Sequence, residues 1–168
     1  MDVVFEPLGP QHDRSRFTCG TPALDEWLRR RAGQDERRNV ARVFVAVDRE
    51  LGLVGVYSLS SFTLELPDPP PAVAQRLPRY GLVPAALIGR LARDERTRGQ
   101  GLGELLLADA VRRVLAASRT LAVFAIVVDA KDDRAAAFYA GFGFRRLPLH
   151  PHRLFLLVSE AAAALERL

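Results

Sequence analysis

One stretch limits this chain more than any other: Leu87-Ile88-Gly89-Arg90-Leu91-Ala92-Arg93, then Asp94 to Arg98, then Gly99-Gln100-Gly101-Leu102-Gly103. The apolar run Ala85 to Ala92 predicts a buried central strand. After Gly103, the residues Leu106, Ala110, Val111, Val114 and Leu115 recur on the inner face of an amphipathic helix. Glycines between strand and helix let the backbone turn tightly and approach a ligand with no Cβ in the way. The N–H groups of Gly99 to Gly103 are expected to open the helix, where they have no carbonyl partners within it. With the helix dipole they make an anion site suited to a pyrophosphate, and Arg98 at the rim can add a charge-assisted bond. Taken alone, the loop has a second reading, a turn that only ends a strand. Two other phosphate loops are excluded. A P-loop needs Lys and then Ser or Thr where Glu104 and Leu105 stand, and the dinucleotide fingerprint needs a glycine at the place of Leu106.

The rest of the chain predicts a mixed order, β-α-β-β-β-α-β-α-β-α, around one sheet in a single domain over residues 1–168. Val3 to Phe5 opens as a strand. Thr21 is placed as the N-cap of a helix with Pro22 at its first position, and Leu24, Trp27 and Leu28 share one face. Val40 to Val47 and Leu53 to Leu66 read as strands joined by a turn at Asp48 to Gly52, and Pro67 to Pro71 as a loop. Ala122 to Val128 reads as a buried strand. Asp132 or Asp133 can cap a short alanine-rich helix reaching Tyr139, and Arg153 to Val158 gives a last strand before a C-terminal helix capped by Ser159. In the segment from Asp129 to Phe144, Phe138 and Tyr139 read first as core aromatics, although the small residues before Tyr139 leave a face for something narrow.

Composition narrows the setting. No run approaches the roughly 18 apolar residues of a membrane span. The start lacks the order of a secretory signal, and the lone Cys19 excludes an internal disulfide, so a cytoplasmic chain is expected. Of 24 basic residues only Lys131 is lysine. Genome composition explains that, and so does a surface for phosphates, because arginine's planar fork binds phosphate oxygens bidentately. His12, His150 and His152 read as surface or loop histidines without metal-ligand spacing. Cys19 reads as a packed small hydrophobe.

Arg98-Gly99-Gln100-Gly101-Leu102-Gly103 resembles the R/Q-x-x-G-x-G/A signature of the GNAT N-acetyltransferases, and Ala136 and Phe138-Tyr139 with Gly143-Phe144 resemble that family's later A-x-x-(F/L)-Y-x-x-x-G-F element. A narrower resemblance rests on Phe17-Thr18-Cys19-Gly20, Leu24-Asp25, Trp27-Leu28, Tyr57-Ser58-Leu59-Ser60 and Leu87 to Ala92. These are similar to the GNAT toxins of toxin–antitoxin modules. The resemblance implies an α/β mixed sheet with two splayed parallel strands, Leu87–Arg93 and Val123–Asp129. It implies acetyl-CoA as co-substrate, its pantetheine against Leu91, Ala92 and Arg93, and its pyrophosphate on Arg98, Gly99, Gln100, Gly101, Leu102 and Gly103. It also sets Asp132 and Phe138 beside the cofactor and makes Tyr139 the general acid. The group usually carries valine where this chain has Arg93, which is read as solvent-facing.

The same resemblance implies an aminoacyl-tRNA acceptor and a ribbon-helix-helix antitoxin as partners, and leaves a homodimer open. No Asp or Glu lies on Leu87 to Ala92 to serve as base, although Glu65 or a water chain could stand in. A lysine acceptor, with a pKa of about 10.4, would need a base; an α-amine at roughly 7.7 to 8.0 would need one far less. Two other readings stay open: a GNAT enzyme acting on a small amine or protein N-terminus, and a silent acyl-CoA-binding module working through protein contacts.

Overall fold

The computed structural model describes residues 1–78 and 81–167. Its strands are β1 (Val3–Pro7), β2 (Arg42–Asp48), β3 (Gly52–Glu65), β4 (Leu82–Arg93), β5 (Ala125–Asp129), β6 (Arg145–Leu147) and β7 (His150–Leu157). Hydrogen bonding orders them β1-β2-β3-β4-β5-β7-β6. The helices are α1 (Pro22–Arg30), α2 (Ala32–Arg37), α3 (Pro71–Ala74), α4 (Leu102–Ala117), α5 (Asp133–Gly141) and α6 (Val158–Glu166). The sheet is mixed and helix-flanked, as expected. β4 and β5 run parallel, Ala85–Ile88 against Ala125–Val128, and a parallel pair needs a long crossover, which α4 supplies. No helix among the described residues is long and apolar enough to cross a membrane.

The chain divides into two compact units, Met1–Ser60 with Gly89–Ala110 and Ser61–Ile88 with Val111–Leu168. The first holds an antiparallel meander in which Phe5 faces Ala46 and Phe44 faces Tyr57. Its β2–β3 turn forms because Asp48 Oδ2 accepts the N–H groups of Glu50 and Leu51, both at 2.9 Å, and Gly52 takes φ +76°. Phe17, Trp27, Leu28, Val43, Val45 and Val56 pack together as its core, with Cys19 and Ala92 against them. The Trp27 indole N–H donates to Asp35 at 2.9 Å, and the Arg90 guanidinium lies 5.0 Å from the Trp27 ring centre. The second unit is built on β5 and β7, with Val127 opposite Phe155, around Leu64, Val73, Val83, Ala125, Phe155 and Leu157.

Several local expectations change. Ser159 is not the cap of α6: β7 runs straight into the helix, Leu157 is the extended residue before it, and the Ser159 hydroxyl accepts from Arg76 at 2.7 Å. Thr21 holds the N-cap position of α1 without a side-chain bond. The buried strand starts at Ala125, three residues later than Ala122. His12 is the loop histidine of the two alternatives, in the segment after β1, and its side chain is 4% exposed. Its Nδ1 accepts the Gly9 N–H, and its Nε2 sits 2.5 Å from Glu6. Periodicity also missed α2, α3 and the three-residue β6, all too short to show a repeat.

Leu106 of α4 is fully buried over β3, where a Cβ built on Gly55 would meet its two methyl carbons at 3.0 and 3.1 Å and the Ala46 Cβ at 3.2 Å. A side chain at 55 would therefore have to push Leu106 and Ala46 aside. Gly55→Val is expected to cost about 1–3 kcal/mol through overpacking, measured as a lower urea midpoint with an unchanged m-value.

Candidate active site

The glycine loop lies in the first unit, and its shape starts with a carboxylate. Asp94 follows β4 with no exposed surface. It caps a 3₁₀ turn at Glu95–Thr97 by accepting the Arg96 N–H at 2.9 Å, and it takes Nε and Nη2 of Arg96 at 3.0 and 2.9 Å. It also accepts the Thr18 N–H at 3.3 Å, while its own N–H donates to the Val54 carbonyl at 2.7 Å. Burial alone would raise the Asp94 carboxyl, but the bonds from Arg96 and Thr18 outweigh it and hold it below the usual carboxylate range.

From that turn the chain enters Arg98–Gly101, with φ +77° at Gly99 and +75° at Gly101, values that favour glycine. A Cβ at Gly99 would meet nothing within 4 Å, so its absence serves the backbone shape and leaves the outer face open. The expectation of a full row of unpaired N–H groups needs one correction. Gln100 N–H already donates to Thr97 at 3.2 Å, because the 3₁₀ turn runs on into the loop. The N–H groups of Gly99, Gly101, Leu102, Gly103 and Glu104 have no hydrogen-bond partner among the described residues. α4 begins at Leu102, whose side chain is fully buried, so only its backbone can serve a ligand. Arg98 is exposed and in no ion pair among the described residues. A loop with five unpaired donors, no intruding side chain at Gly99 and an exposed guanidinium suits a pyrophosphate.

Leu91, Ala92 and Arg93 end β4 in the same unit, each half-buried, and Ala92 packs on the Trp27 cluster. Arg93 is thus less exposed than expected. Within β4, Arg90 takes φ +51°, a conformation that no sequence pattern indicated. Asp94 was missed as well, although an aspartate directly after a strand and before a short turn is an N-cap signal.

The second unit holds the other three residues. Asp132 is the N-cap of α5, with Oδ1 on the Ala135 N–H at 2.8 Å. Phe138 is half-buried, and its ring meets Tyr139 edge-on at 5.2 Å; Phe144 meets Tyr139 from another direction at 5.8 Å. Tyr139 is 7% exposed, and its hydroxyl makes no hydrogen bond among the described residues. Burial, and after it the charge of Asp129, push its pKa up to about 12, so the phenol stays protonated. Asp129 is bound to Arg153 at 2.7 and 3.2 Å. Glu65 is exposed and lines a cavity of about 400 Å³ with Leu66, Leu77 and Pro78.

Asp94→Asn is expected to lower stability by about 2 kcal/mol at neutral pH, since charged hydrogen bonds weaken. A lowered carboxyl stabilises fully above its unfolded value of about 3.9 and stops doing so as pH falls through the folded value. Urea titrations from pH 7 to 3 should therefore show the variant's deficit closing below pH 4; a deficit constant with pH would mean that the charge of Asp94 is not what matters.

Residues 39–146 match the family model described as acetyltransferase (GNAT) domain. A tRNA-acetylating toxin of Mycobacterium tuberculosis is 38% identical over 151 residues, spanning 90% of this chain and 89% of that protein. A probable toxin TacT of Sinorhizobium fredii is 30% identical over 165 residues, spanning 93% of this chain and 91% of its own. Among solved structures, AtaT complexed with acetyl-methionyl-tRNA superposes with a TM-score of 0.88 at 27% identity, covering 96% of this chain and 98% of that one. A tyrosine-to-phenylalanine variant of AtaT, bound to the C-terminus of the antitoxin AtaR and acetyl-CoA, superposes at 0.81 and 25% identity, with 97% of each chain covered.

Proposed function

Because the chain belongs to the GNAT family of acetyltransferases, we propose that it moves the acetyl group of acetyl-CoA onto the α-amino group of aminoacyl-tRNA. In doing so it halts translation, as the toxin of a toxin–antitoxin pair. The observation that carries acetyl-CoA use is the row of unpaired N–H groups at Gly99, Gly101, Leu102, Gly103 and Glu104 beside the exposed Arg98. The α-amine acceptor is supported by the likeness to the tRNA-acetylating toxin and by the absence of any carboxylate along Leu87–Ala92.

Acetyl-CoA supplies an acetyl thioester ready for transfer; positioning and proton handling fall to the protein. In this proposal the N–H groups of Gly99 to Gly103 and Arg98 hold the pyrophosphate, with the Gln100 side chain at the rim. Backbone groups of Leu91 and Arg93, with Ala92 between, pair with the pantetheine amides as an added strand would. Phe138 and Asp132 lie beside the cofactor, and Tyr139 donates to the departing sulfur. A phenol held near 12 is protonated at every physiological pH. Complete transfer to a thiolate, whose conjugate acid is about 8.5, runs uphill. Tyr139 therefore acts chiefly as a hydrogen-bond donor to the sulfur as its charge develops: the amine forms the N–C bond, the C–S bond breaks, and the proton lost by nitrogen passes through solvent to the departing thiolate.

The proposal extends to a ribbon-helix-helix antitoxin, to a homodimer, to action in the cytoplasm where charged tRNA is found, and to one catalytic domain spanning the chain. A neighbouring short gene for a ribbon-helix-helix protein would support the pairing.

Gly101→Asp is expected to abolish acetyl-CoA binding in titration calorimetry while the chain still melts cooperatively at a somewhat lower temperature. A side chain at φ +75° strains the backbone, and its negative charge lies beside the pyrophosphate. Unchanged affinity would remove the loop from the account. The acceptor is tested by offering labelled acetyl-CoA with charged tRNA, free amino acids, polyamines and peptides side by side. Charged tRNA should be labelled, and Tyr139→Phe should slow single turnover by about 10², the low end of general-acid effects, with acetyl-CoA affinity little changed. Good labelling of a small amine or peptide with none of charged tRNA would sink the toxin reading and leave the acetyltransferase standing.

A further inference from the structure

Two guanidinium groups converge at the elbow between α1 and α2 without a counter-ion. A Cβ built on Gly33 would lie 3.3 Å from Arg37 Nη1 and 3.6 and 3.7 Å from Arg14 Nη1 and Nη2. Arg14 is fixed there, half-buried, by donating Nη1 to the Leu28 carbonyl at 3.1 Å. Neither arginine is in an ion pair among the described residues. The nearby acids are committed elsewhere. Asp25 is buried and accepts the Cys19 N–H at 2.9 Å, and Asp35 accepts the Trp27 indole. Glu36 holds Arg42 at 2.7 Å and the Val43 N–H at 2.6 Å, while Glu26 faces Arg30 at 3.9 Å. Burial, and after it the like charge of Arg37, disfavour the charged form of Arg14. Glycine is a poor helix former, yet in α2 it keeps clear the space into which both side chains point.

We propose that Arg14 and Arg37, meeting over Gly33, form a second phosphate site that holds a backbone phosphate of the tRNA. The inference rests on charged tRNA being the acceptor. Like charges held together with no carboxylate are relieved by an anion, and two planar forks suit the oxygens of a phosphate. A polyanion is favoured over a lone carboxylate because seven arginines lie between residues 14 and 38, and Arg16, Arg31 and Arg38 flank the pair exposed. None of these residues belongs to the glycine loop.

The test is anisotropy of labelled uncharged tRNA against the full chain over a salt series, with wild type, Arg37→Gln, Arg37→Lys and Arg14→Gln. Arg37 is exposed and its side chain makes no hydrogen bond among the described residues, so its variants are expected to fold; Arg14→Gln is read only if its melting curve matches. Arg37→Gln should weaken binding about 3- to 10-fold near 0.1 M salt and reduce the slope of log K against log salt by about one. Arg37→Lys should keep the slope. Affinity for acetyl-CoA and the rate at saturating charged tRNA should not change. If wild type acetylates charged tRNA while Arg37→Gln binds tRNA with unchanged affinity and slope, the phosphate site is wrong and the acceptor reading stands. Loss of binding to an acidic antitoxin peptide with tRNA binding intact would also overturn it, by assigning the pair to a protein carboxylate. If wild type neither binds nor acetylates tRNA, the acceptor reading falls and the phosphate site falls with it.

Discussion

A charged carboxylate with no access to water is tolerated only when hydrogen bonds replace its hydration, and Asp94 shows how much structure that demand can organise. Satisfying it draws in the Thr18 N–H, 76 residues earlier in the chain, and folds Arg96 back onto its own turn. The neighbouring backbone is held too, with Asp94 N–H on Val54, Glu95 N–H on Thr18, and the Thr97 hydroxyl on the Asp94 carbonyl at 2.7 Å. Only after this turn is fixed does the chain reach Gly99 and Gly101, so the direction of the loop's N–H groups follows from it. Electrostatic preorganisation of this kind means that the donors need not be ordered when an anion arrives.

The strength of each sequence signal explains what could be read beforehand. Long elements with a clear period were legible: β3, β4 and α4 fall within a few residues of their expected limits. The glycine loop was legible because positive φ and close approach leave glycine as the favoured residue, a constraint that shows in the letters themselves. α2, α3 and β6 were not, since six, four and three residues are too few to establish a period. Ser159 failed for a different reason. A serine before an alanine-rich run is a sound cap signal, but β7 enters the helix without a break, which leaves no residue between them for serine to occupy.

What could not be read beforehand is which partner each arginine finds in the fold. One arginine looks like the next in sequence, yet their tasks differ with their neighbours. Arg96 closes on Asp94, Arg90 lies over Trp27, Arg153 holds Asp129, and Arg14 and Arg37 face each other. Genome composition can supply the arginines, but it cannot decide which of them find carboxylates. With the acids between residues 25 and 36 engaged elsewhere, the charge left over is a property of the fold and not of the count.

In the proposed reaction, Tyr139 as the acid and the lack of a carboxylate along β4 point the same way. Tyr139 sits among Phe138 and Phe144, and burial raises its pKa to about 12, far from the value near the operating pH that serves a general acid best. A phenol in that range favours hydrogen bonding over full proton transfer, which suits a leaving group that departs readily. A thiolate is one, with a conjugate acid of about 8.5. The acceptor side must then need equally little help, and β4 offers it no carboxylate. A lysine side chain, protonated until about pH 10.4, would reach this site in its unreactive form most of the time. An α-amine whose carboxyl is esterified lies below the roughly 7.7 to 8.0 of a peptide N-terminus and needs far less help from a base. In the proposed reaction a weak acid, a β4 without carboxylates and an activated thioester form a consistent set for an α-amine acceptor, in which position and charge matching do most of what acid–base chemistry does elsewhere.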